Sequence, residues 1–211
     1  MNRRDALQQL GALALLSSPI GLALGHSHGQ AQGSFQVLKT KVPSDTPGKI
    51  QVLEFFHYGC SHCHDFEPLI AQWAERLPND VVFMQVPVVW GKQLEGFARL
   101  YYTLQAMKRL DLHKSIFPAV QEQRMRLDSP AGALDWAKAN KLNESSFRVA
   151  YDIGVNSQVR RAQQLTVSHG IESVPSMVVD GRFLTSASLA GNHEAALRVV
   201  DSLIERVRKG E

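Results

Sequence analysis

The junction between residues 49–56 and residues 60–77 constrains the fold more than any other part of the 211-residue chain. Residues 49–56 have the sequence KIQVLEFF, a dense apolar run that predicts a strand at the centre of a sheet. Residues 60–77 place apolar side chains at helical spacing, although Pro68 should kink this helix by removing a hydrogen bond. Residues 81–88, VVFMQVPV, predict a second buried strand. A β-α-β order implies two parallel strands with a right-handed connection.

Three further strands are expected outside this unit. Residues 36–40 predict a short edge strand, and strand patterns return at residues 176–179 and 182–185. The last two are joined by Asp180-Gly181, a pair typical of a tight hairpin turn. A final helix, capped by Asn192, should complete the chain.

The domain organisation follows from where the periodicity changes. Residues 94–170 are helical in pattern and show no strong strand signal. We therefore predict an α/β domain over residues 34–93 and 171–211, interrupted by a helical insertion over residues 94–170. His113 and His169 in the insertion, and His193 after it, are expected on helix or loop surfaces.

The first 25 residues have the composition of a secretory signal peptide. They begin with Arg3 and Arg4, continue through a stretch rich in Leu and Ala, and end in small residues, which recur before Gly33. We expect a signal peptide over residues 1–25, or up to residue 33, that directs export by the general secretory or the twin-arginine route. An uncleaved membrane anchor is the alternative, but residues 17–19, Ser-Ser-Pro, interrupt the apolar run.

The charge pattern argues against a nucleic-acid partner. The formal net charge is only +3, and no cluster of Lys and Arg has the density that phosphate binding requires. The hydrophobic fraction of 44% and the charged fraction of 20% are ordinary for a soluble globular protein.

Cys60 and Cys63, the two cysteines of the sequence, form a C-x-x-C motif suited to redox chemistry. An exported protein meets an oxidising compartment, but a bond across two residues closes almost no loop and stabilises the fold little. Cys60 should stand at a helix N-terminus, where unpaired N–H groups and the helix dipole favour a thiolate, and a protonated His62 would add to this. Cys63, one turn further and less exposed, would then resolve a mixed disulfide.

A structural zinc site is the main chemical alternative for this cluster. Such a site needs four nitrogen or sulfur ligands around one ion, and the candidates Cys60, Cys63 and His64 crowd one helical turn with no second ligand pair elsewhere. We therefore expect no metal, and no cofactor other than the redox-active Cys60–Cys63 pair.

Two segments resemble bacterial periplasmic DsbA-type thiol:disulfide oxidoreductases. They are VLEFFHYGCSHCHDFEP at residues 52–68 and ESVPSMVVDGRFLT at residues 172–185. The resemblance runs from about Phe35 to the C-terminus and implies a thioredoxin fold interrupted by a helical insertion domain. It implies that Cys60 is the attacking cysteine and Cys63 the buried one.

The resemblance also implies roles for three residues outside the motif. Glu54 matches an acid beneath the cysteines, and burial in an apolar strand should raise its pKa so that it can exchange a proton with Cys63. Val174 and Pro175 match a loop with a cis proline that faces the site. Because proline has no N–H, the backbone of Val174 could pair with a bound peptide strand. His57 is expected to line the substrate surface.

One residue departs from the family pattern. Members often carry proline after the first cysteine, whereas this chain has Ser61. Serine restores a backbone N–H, an extra donor that could stabilise a thiolate. It also frees φ, and the looser backbone could hold the thiolate less well.

The function expected is donation of the Cys60–Cys63 disulfide to newly exported proteins. The partners would be unfolded or reduced exported proteins and, for reoxidation, a quinone-linked membrane oxidase of the DsbB type; the protein would work in the periplasm as a monomer. A reductase or isomerase of the same fold is the nearest alternative. A non-catalytic peptide-binding chaperone or a metal-binding protein is the alternative from another class.

Overall fold

The computed structural model describes residues 33–211, so the predicted signal peptide over residues 1–25 lies outside the described residues. Within this range the strands form one mixed sheet in the order β1-β5-β4-β2-β3. The strands are β1 Gln36–Val37, β2 Ile50–Phe56, β3 Val81–Pro87, β4 Ser176–Val179 and β5 Phe183–Ser186. The helices are α1 Ser61–Ala74, α2 Glu95–Ala106, α3 His113–Gln121, α4 Pro130–Ala139, α5 Glu144–Val149, α6 Asn156–Ser168, α7 Ala187–Ala190 and α8 His193–Arg208.

Strand β2 is the centre of the sheet, which confirms the prediction from its apolar sequence. It pairs parallel with β3 and antiparallel with β4, and all seven of its residues are buried. Side chains alternate between the two faces of a strand. Val52 therefore packs in the cluster that holds Phe66 and Leu203, whereas Leu53 packs in the larger cluster that includes Leu100.

Strand β3 is only partly buried, so the prediction of a second buried strand is wrong for its middle part. β3 lies at the edge of the sheet, with β2 as its neighbour. An edge strand keeps one side open to solvent, and here residues 82–85 are partly or fully exposed. The register places Gln85 beside Glu54, which brings a polar side chain next to the buried acid.

The hairpin between β4 and β5 forms where the sequence predicts it. Asp180 and Gly181 both have positive φ, 52° and 61°, as a type I′ turn requires. A Cβ atom on Gly181 would lie 2.0 Å from the Val42 carbonyl oxygen, so the close approach of this backbone requires glycine.

Helices α2 to α6 follow one another between β3 and β4, which confirms an α/β fold interrupted by a helical segment. Short 3₁₀ turns at Lys92–Leu94 and Leu110–Leu112 and a π turn at Ala150–Gly154, none of them predicted, lie among these helices. The predicted domain boundaries at residues 93/94 and 170/171 stay a prediction. In the part of the chain that the structure describes, no helix combines the length and apolar content needed to cross a membrane.

Side-chain caps begin helices α4 and α8, and the cap at Asn192 confirms the prediction for the final helix. Ser129 accepts a hydrogen bond from the N–H of Gly132, with Pro130 at the first position of α4. Asn192 caps α8 in the same way, by accepting from the N–H of Ala195 at 2.7 Å. Each cap satisfies a donor that the first helical turn leaves unpaired.

Candidate active site

Cys60 is the N-cap residue of α1, the position that the sequence predicts. Strand β2 ends at Phe56, and the N–H of Cys60 then donates to the His57 carbonyl at 3.0 Å, closing a tight turn before the helix. The Cys60 sulfur accepts a hydrogen bond from the N–H of Cys63 at 3.4 Å. Cys60 is half-buried and Cys63 is buried, and the two sulfurs are not joined by a disulfide in the structure.

The two cysteines differ sharply in acidity. The pKa of Cys60 is lowered to about 6, chiefly by the hydrogen bond from the Cys63 side chain, then by the N–H groups of Cys63 and His62 and by the charge of His62, while burial opposes these effects. The pKa of Cys63 is raised far above its usual value, because its thiol bonds to Cys60 and is desolvated by burial. At neutral pH the pair therefore consists of a Cys60 thiolate and a Cys63 thiol.

The loop before β4 faces the Cys60 sulfur. The peptide bond between Val174 and Pro175 is cis, which confirms the conformation that the resemblance implied. The Cys60 sulfur lies 3.5 Å from the Val174 carbonyl oxygen, so the backbone of this loop borders the reactive atom. The part that Val174 and Pro175 play in binding a substrate stays a prediction.

Glu54 lies in the middle of β2 and is only 1% exposed. Desolvation, followed by the charge of Glu67, raises the pKa of Glu54 to about 8, so the carboxyl group holds its proton at neutral pH. Gln85 donates to Glu54 Oε2 at 2.9 Å and to Glu67 Oε2 at 3.0 Å. Electrostatic coupling between Glu54 and Cys63 contributes to the raised pKa of the Cys63 thiol.

His57 supports the turn before Cys60. Its Nδ1 accepts a hydrogen bond from the N–H of Gly59 at 3.0 Å, and its ring packs edge-on against Phe97. Burial lowers the pKa of His57, which favours the neutral ring with its proton on Nε2. The predicted contact of His57 with substrate stays a prediction.

Sequence reasoning placed His113 and His169 on the surface, and this is wrong: they are 4% and 2% exposed. Burial of the polar His113 ring is possible because both ring nitrogens have hydrogen-bond partners. Tyr58 Oη lies 2.8 Å from Nδ1, and Glu67 Oε2 lies 3.3 Å from Nε2. His169 Nδ1 lies 2.9 Å from the Leu165 carbonyl oxygen. His193 is half-buried against the Phe66 ring.

Gln121 is the other residue that sequence reasoning missed. Its side chain donates to the carbonyl oxygens of Tyr58 at 2.8 Å and of Cys60 at 3.1 Å. The signal available in the sequence was the four-residue spacing of His113, Phe117 and Gln121, which puts all three on one helix face. Among residues 33–211, no three His, Cys, Asp or Glu side chains are grouped as a metal site would require.

The sequence is similar to those of known thiol:disulfide interchange proteins. The chain is 44% identical over 184 residues to the thiol:disulfide interchange protein DsbA of Bordetella parapertussis, which covers 85% of this chain and 88% of that protein. It is 32% identical over 201 residues to DsbA of Pseudomonas aeruginosa, which covers 94% of this chain and 95% of that one. The chain belongs to the DsbA family. No family model matches the sequence.

Solved DsbA structures confirm the fold. The crystal structure of Pseudomonas aeruginosa DsbA superposes with a TM-score of 0.81 at 32% identity, covering 84% of this chain and 94% of that one. The oxidoreductase NmDsbA1 of N. meningitidis superposes with a TM-score of 0.77 at 27% identity, covering 85% and 94%. The expected thioredoxin fold with a helical insertion is thus confirmed, and the chain is a thiol:disulfide oxidoreductase of the DsbA type.

Proposed function

We propose that this DsbA-family protein acts as an oxidant, which donates its Cys60–Cys63 disulfide to reduced proteins after their export. The observation that carries the proposal is the Cys60 sulfur at the N-cap of α1, with a pKa of about 6. At pH 7 a thiol with this pKa is mostly ionised, which favours the reduced pair about tenfold over one with an ordinary thiol. Tenfold corresponds to about 30 mV towards oxidant, and solvent screening at this half-exposed sulfur reduces that figure.

The reaction proceeds through a mixed disulfide. A substrate thiolate attacks the Cys60 sulfur, the bond between Cys60 and Cys63 breaks, and Cys63 leaves with the electron pair. A second substrate thiolate then attacks the substrate sulfur that is bonded to Cys60, and Cys60 leaves as a stabilised thiolate. Two substrate thiols are oxidised to one disulfide, and the cysteine pair is reduced by two electrons. The reaction needs no metal and no cofactor besides this pair.

Glu54 supplies the proton that Cys63 takes up as it leaves. A buried Cys63 thiolate is disfavoured, because the pKa of its thiol is raised by burial and by its neighbours. Glu54 is electrostatically coupled to Cys63 and has a pKa of about 8. It is therefore protonated at neutral pH, and its pKa is close enough to that pH for it to give up the proton. In the reverse direction it takes the proton when Cys63 attacks.

The substrate main chain is expected to lie along the loop that contains Val174 and Pro175. The Val174 carbonyl oxygen is 3.5 Å from the Cys60 sulfur, so a chain bonded to Cys60 passes next to this backbone. Pairing with the backbone of Val174 would bind peptides of many sequences. We expect His57, which supports the turn before Cys60, to contribute to the same substrate surface.

The place of action that fits this chemistry is the periplasm. The basic and apolar composition of residues 1–25 supports export by the general secretory or the twin-arginine route. Membership of the DsbA family supports reoxidation by a DsbB-type membrane oxidase linked to quinone. The protein would work as a monomer on unfolded exported chains, and its low net charge gives no reason to expect nucleic acid.

Stoichiometric transfer to a reduced two-cysteine peptide tests this proposal. Mixing equal amounts of oxidised protein and peptide should produce the peptide disulfide and two protein thiols, measured by mass spectrometry after acid quenching. The Cys60→Ser variant should transfer nothing, because it cannot form the disulfide. Reduced Cys63→Ser, mixed instead with the oxidised peptide, should accumulate a peptide joined to Cys60, because the Cys60 thiolate attacks the peptide disulfide and no second cysteine resolves the product. A peptide that remains reduced, or a Cys60→Ser variant that still oxidises it, would refute the proposal.

A further inference from the structure

Helix α3 presents one face to the active-site segment, residues 57–64. His113, Phe117 and Gln121 are spaced four residues apart, so they line one side of the helix. His113 bonds to the Tyr58 hydroxyl at 2.8 Å, and the Phe117 ring stacks parallel to the His64 ring at 5.5 Å. These two contacts reach side chains of the segment.

Gln121 differs from its neighbours on this face because it binds the backbone. Its amide nitrogen donates to the Tyr58 carbonyl oxygen at 2.8 Å and to the Cys60 carbonyl oxygen at 3.1 Å. An amide NH₂ group has two protons, and here both are used. The Cys60 carbonyl also accepts the first helical hydrogen bond, from the N–H of His64 at 3.2 Å. Gln121 therefore ties the turn before the helix to the first helical turn.

These two hydrogen bonds from Gln121 can affect the acidity of Cys60, because the position of the Cys60 sulfur at the helix N-cap depends on the backbone conformation of Cys60. The Cys60 sulfur accepts from the N–H of Cys63 at 3.4 Å, so a rotation of the Cys60 backbone would turn the sulfur away from this donor. Hydrogen bonds from N–H groups stabilise a thiolate only while they point at the sulfur.

We propose that Gln121 is a positioning residue, which fixes the backbone turn at Cys60 and thereby sets how strongly the Cys60–Cys63 pair oxidises its substrates. Helix α3, which lies in the helical segment between β3 and β4, would then influence the redox equilibrium of the Cys60–Cys63 pair. The inference depends on the proposed function in one respect, namely that Cys60 reacts as a thiolate. The pKa of Cys60 in the unaltered protein tests that premise. The change in this pKa when Gln121 is replaced tests the role of Gln121.

The test replaces Gln121 with methionine, which keeps the length of the side chain and removes both donors. Gln123→Met is the matched control, because Gln123 is exposed and its side chain makes no hydrogen bond within residues 33–211. We expect Gln121→Met to raise the pKa of Cys60 by about one unit, measured by thiolate absorbance. At pH 7 the equilibrium constant for reduction of the disulfide by glutathione should fall about fivefold, since the thiolate then stabilises the reduced form less. The control should leave both quantities unchanged.

The pH dependence separates positioning from general damage to the fold. At pH 5 Cys60 is protonated in both proteins, so their glutathione constants should converge. A difference that persists at pH 5, or a Cys60 pKa within about 0.2 unit of the parent value, would overturn the proposal. If Gln121→Met does not fold, Gln121→Asn, too short to reach both carbonyls, should shift the pKa and the constant in the same direction. If it leaves both unchanged, the proposal is wrong.

Discussion

Replacing Glu54 with glutamine should stabilise the reduced protein at neutral pH, by an amount that grows with pH. In the folded chain burial raises the pKa of Glu54 to about 8, with a further contribution from Glu67. In the unfolded chain a glutamate ionises near its ordinary pKa of about 4.3. Between these two values the folded state binds a proton that the unfolded state has released. Stability contributed by Glu54 is therefore lost as pH rises through this window.

The size of the effect follows from the gap between the two pKa values. Each pKa unit corresponds to about 1.4 kcal/mol, so an ionisable Glu54 lowers the free energy of unfolding by about 3 to 4 kcal/mol at pH 7. Below about pH 4 the carboxyl group is protonated in both states and the penalty vanishes. Glutamine resembles the protonated acid in shape and can still accept the hydrogen bond from Gln85, so Glu54→Gln removes the penalty and little else.

Equilibrium unfolding in urea, from pH 4 to pH 8 under reducing conditions, measures this effect directly. The difference in unfolding free energy between Glu54→Gln and the parent should be near zero at pH 4 and about 3 to 4 kcal/mol at pH 7. Glu75→Gln, at an exposed position after α1, should show no such trend. A difference that is independent of pH, or a variant less stable than the parent at pH 7, would contradict a buried, protonated Glu54.

Three further substitutions test separate parts of the account. His62→Ala should raise the pKa of Cys60 by a few tenths of a unit, seen in a thiolate titration, because the charge of His62 is a minor contribution. Gly181→Ala should lower the free energy of unfolding by about 3 kcal/mol in a denaturant titration, because φ is positive and Val42 leaves no space for a Cβ. Ser129→Ala should cost about 1 kcal/mol by the same measurement, through loss of the α4 cap, and leave disulfide transfer unchanged.

Each of these three predictions has a result that would contradict it. An unchanged thiolate titration in His62→Ala would show that this histidine carries no charge felt by Cys60. Full stability of Gly181→Ala would mean that the hairpin tolerates a side chain there. A loss of disulfide transfer in Ser129→Ala, with the fold intact, would show that α4 affects the site in a way the structure does not indicate.

Local patterns predicted the elements that carry the cysteines. A dense apolar run followed by a C-x-x-C and a helical pattern was enough to place Cys60 at a helix start, because strand burial and helix capping are local effects. The Asp180-Gly181 turn was predictable for the same reason, since its positive φ values are a property of those two residues.

Long-range contacts were not predictable in this way. Periodicity shows that α3 has an inward face, but it does not show what that face meets, so His113 was assigned to the surface. Its burial depends on Tyr58 and Glu67, which lie 55 and 46 residues away in the sequence. The same holds for Gln121, whose partners are carbonyl groups that no sequence pattern identifies, and for β3, whose edge position depends on the order of the strands.

The equilibrium between the Cys60–Cys63 pair and glutathione at pH 7 shows whether this protein is an oxidant. We expect glutathione to reduce the pair readily, at concentrations that leave an ordinary structural disulfide intact, because the Cys60 thiolate stabilises the reduced form. A pair that stays oxidised in an excess of reduced glutathione, with Cys60 titrating near the pKa of about 8.5 of a free thiol, would contradict it.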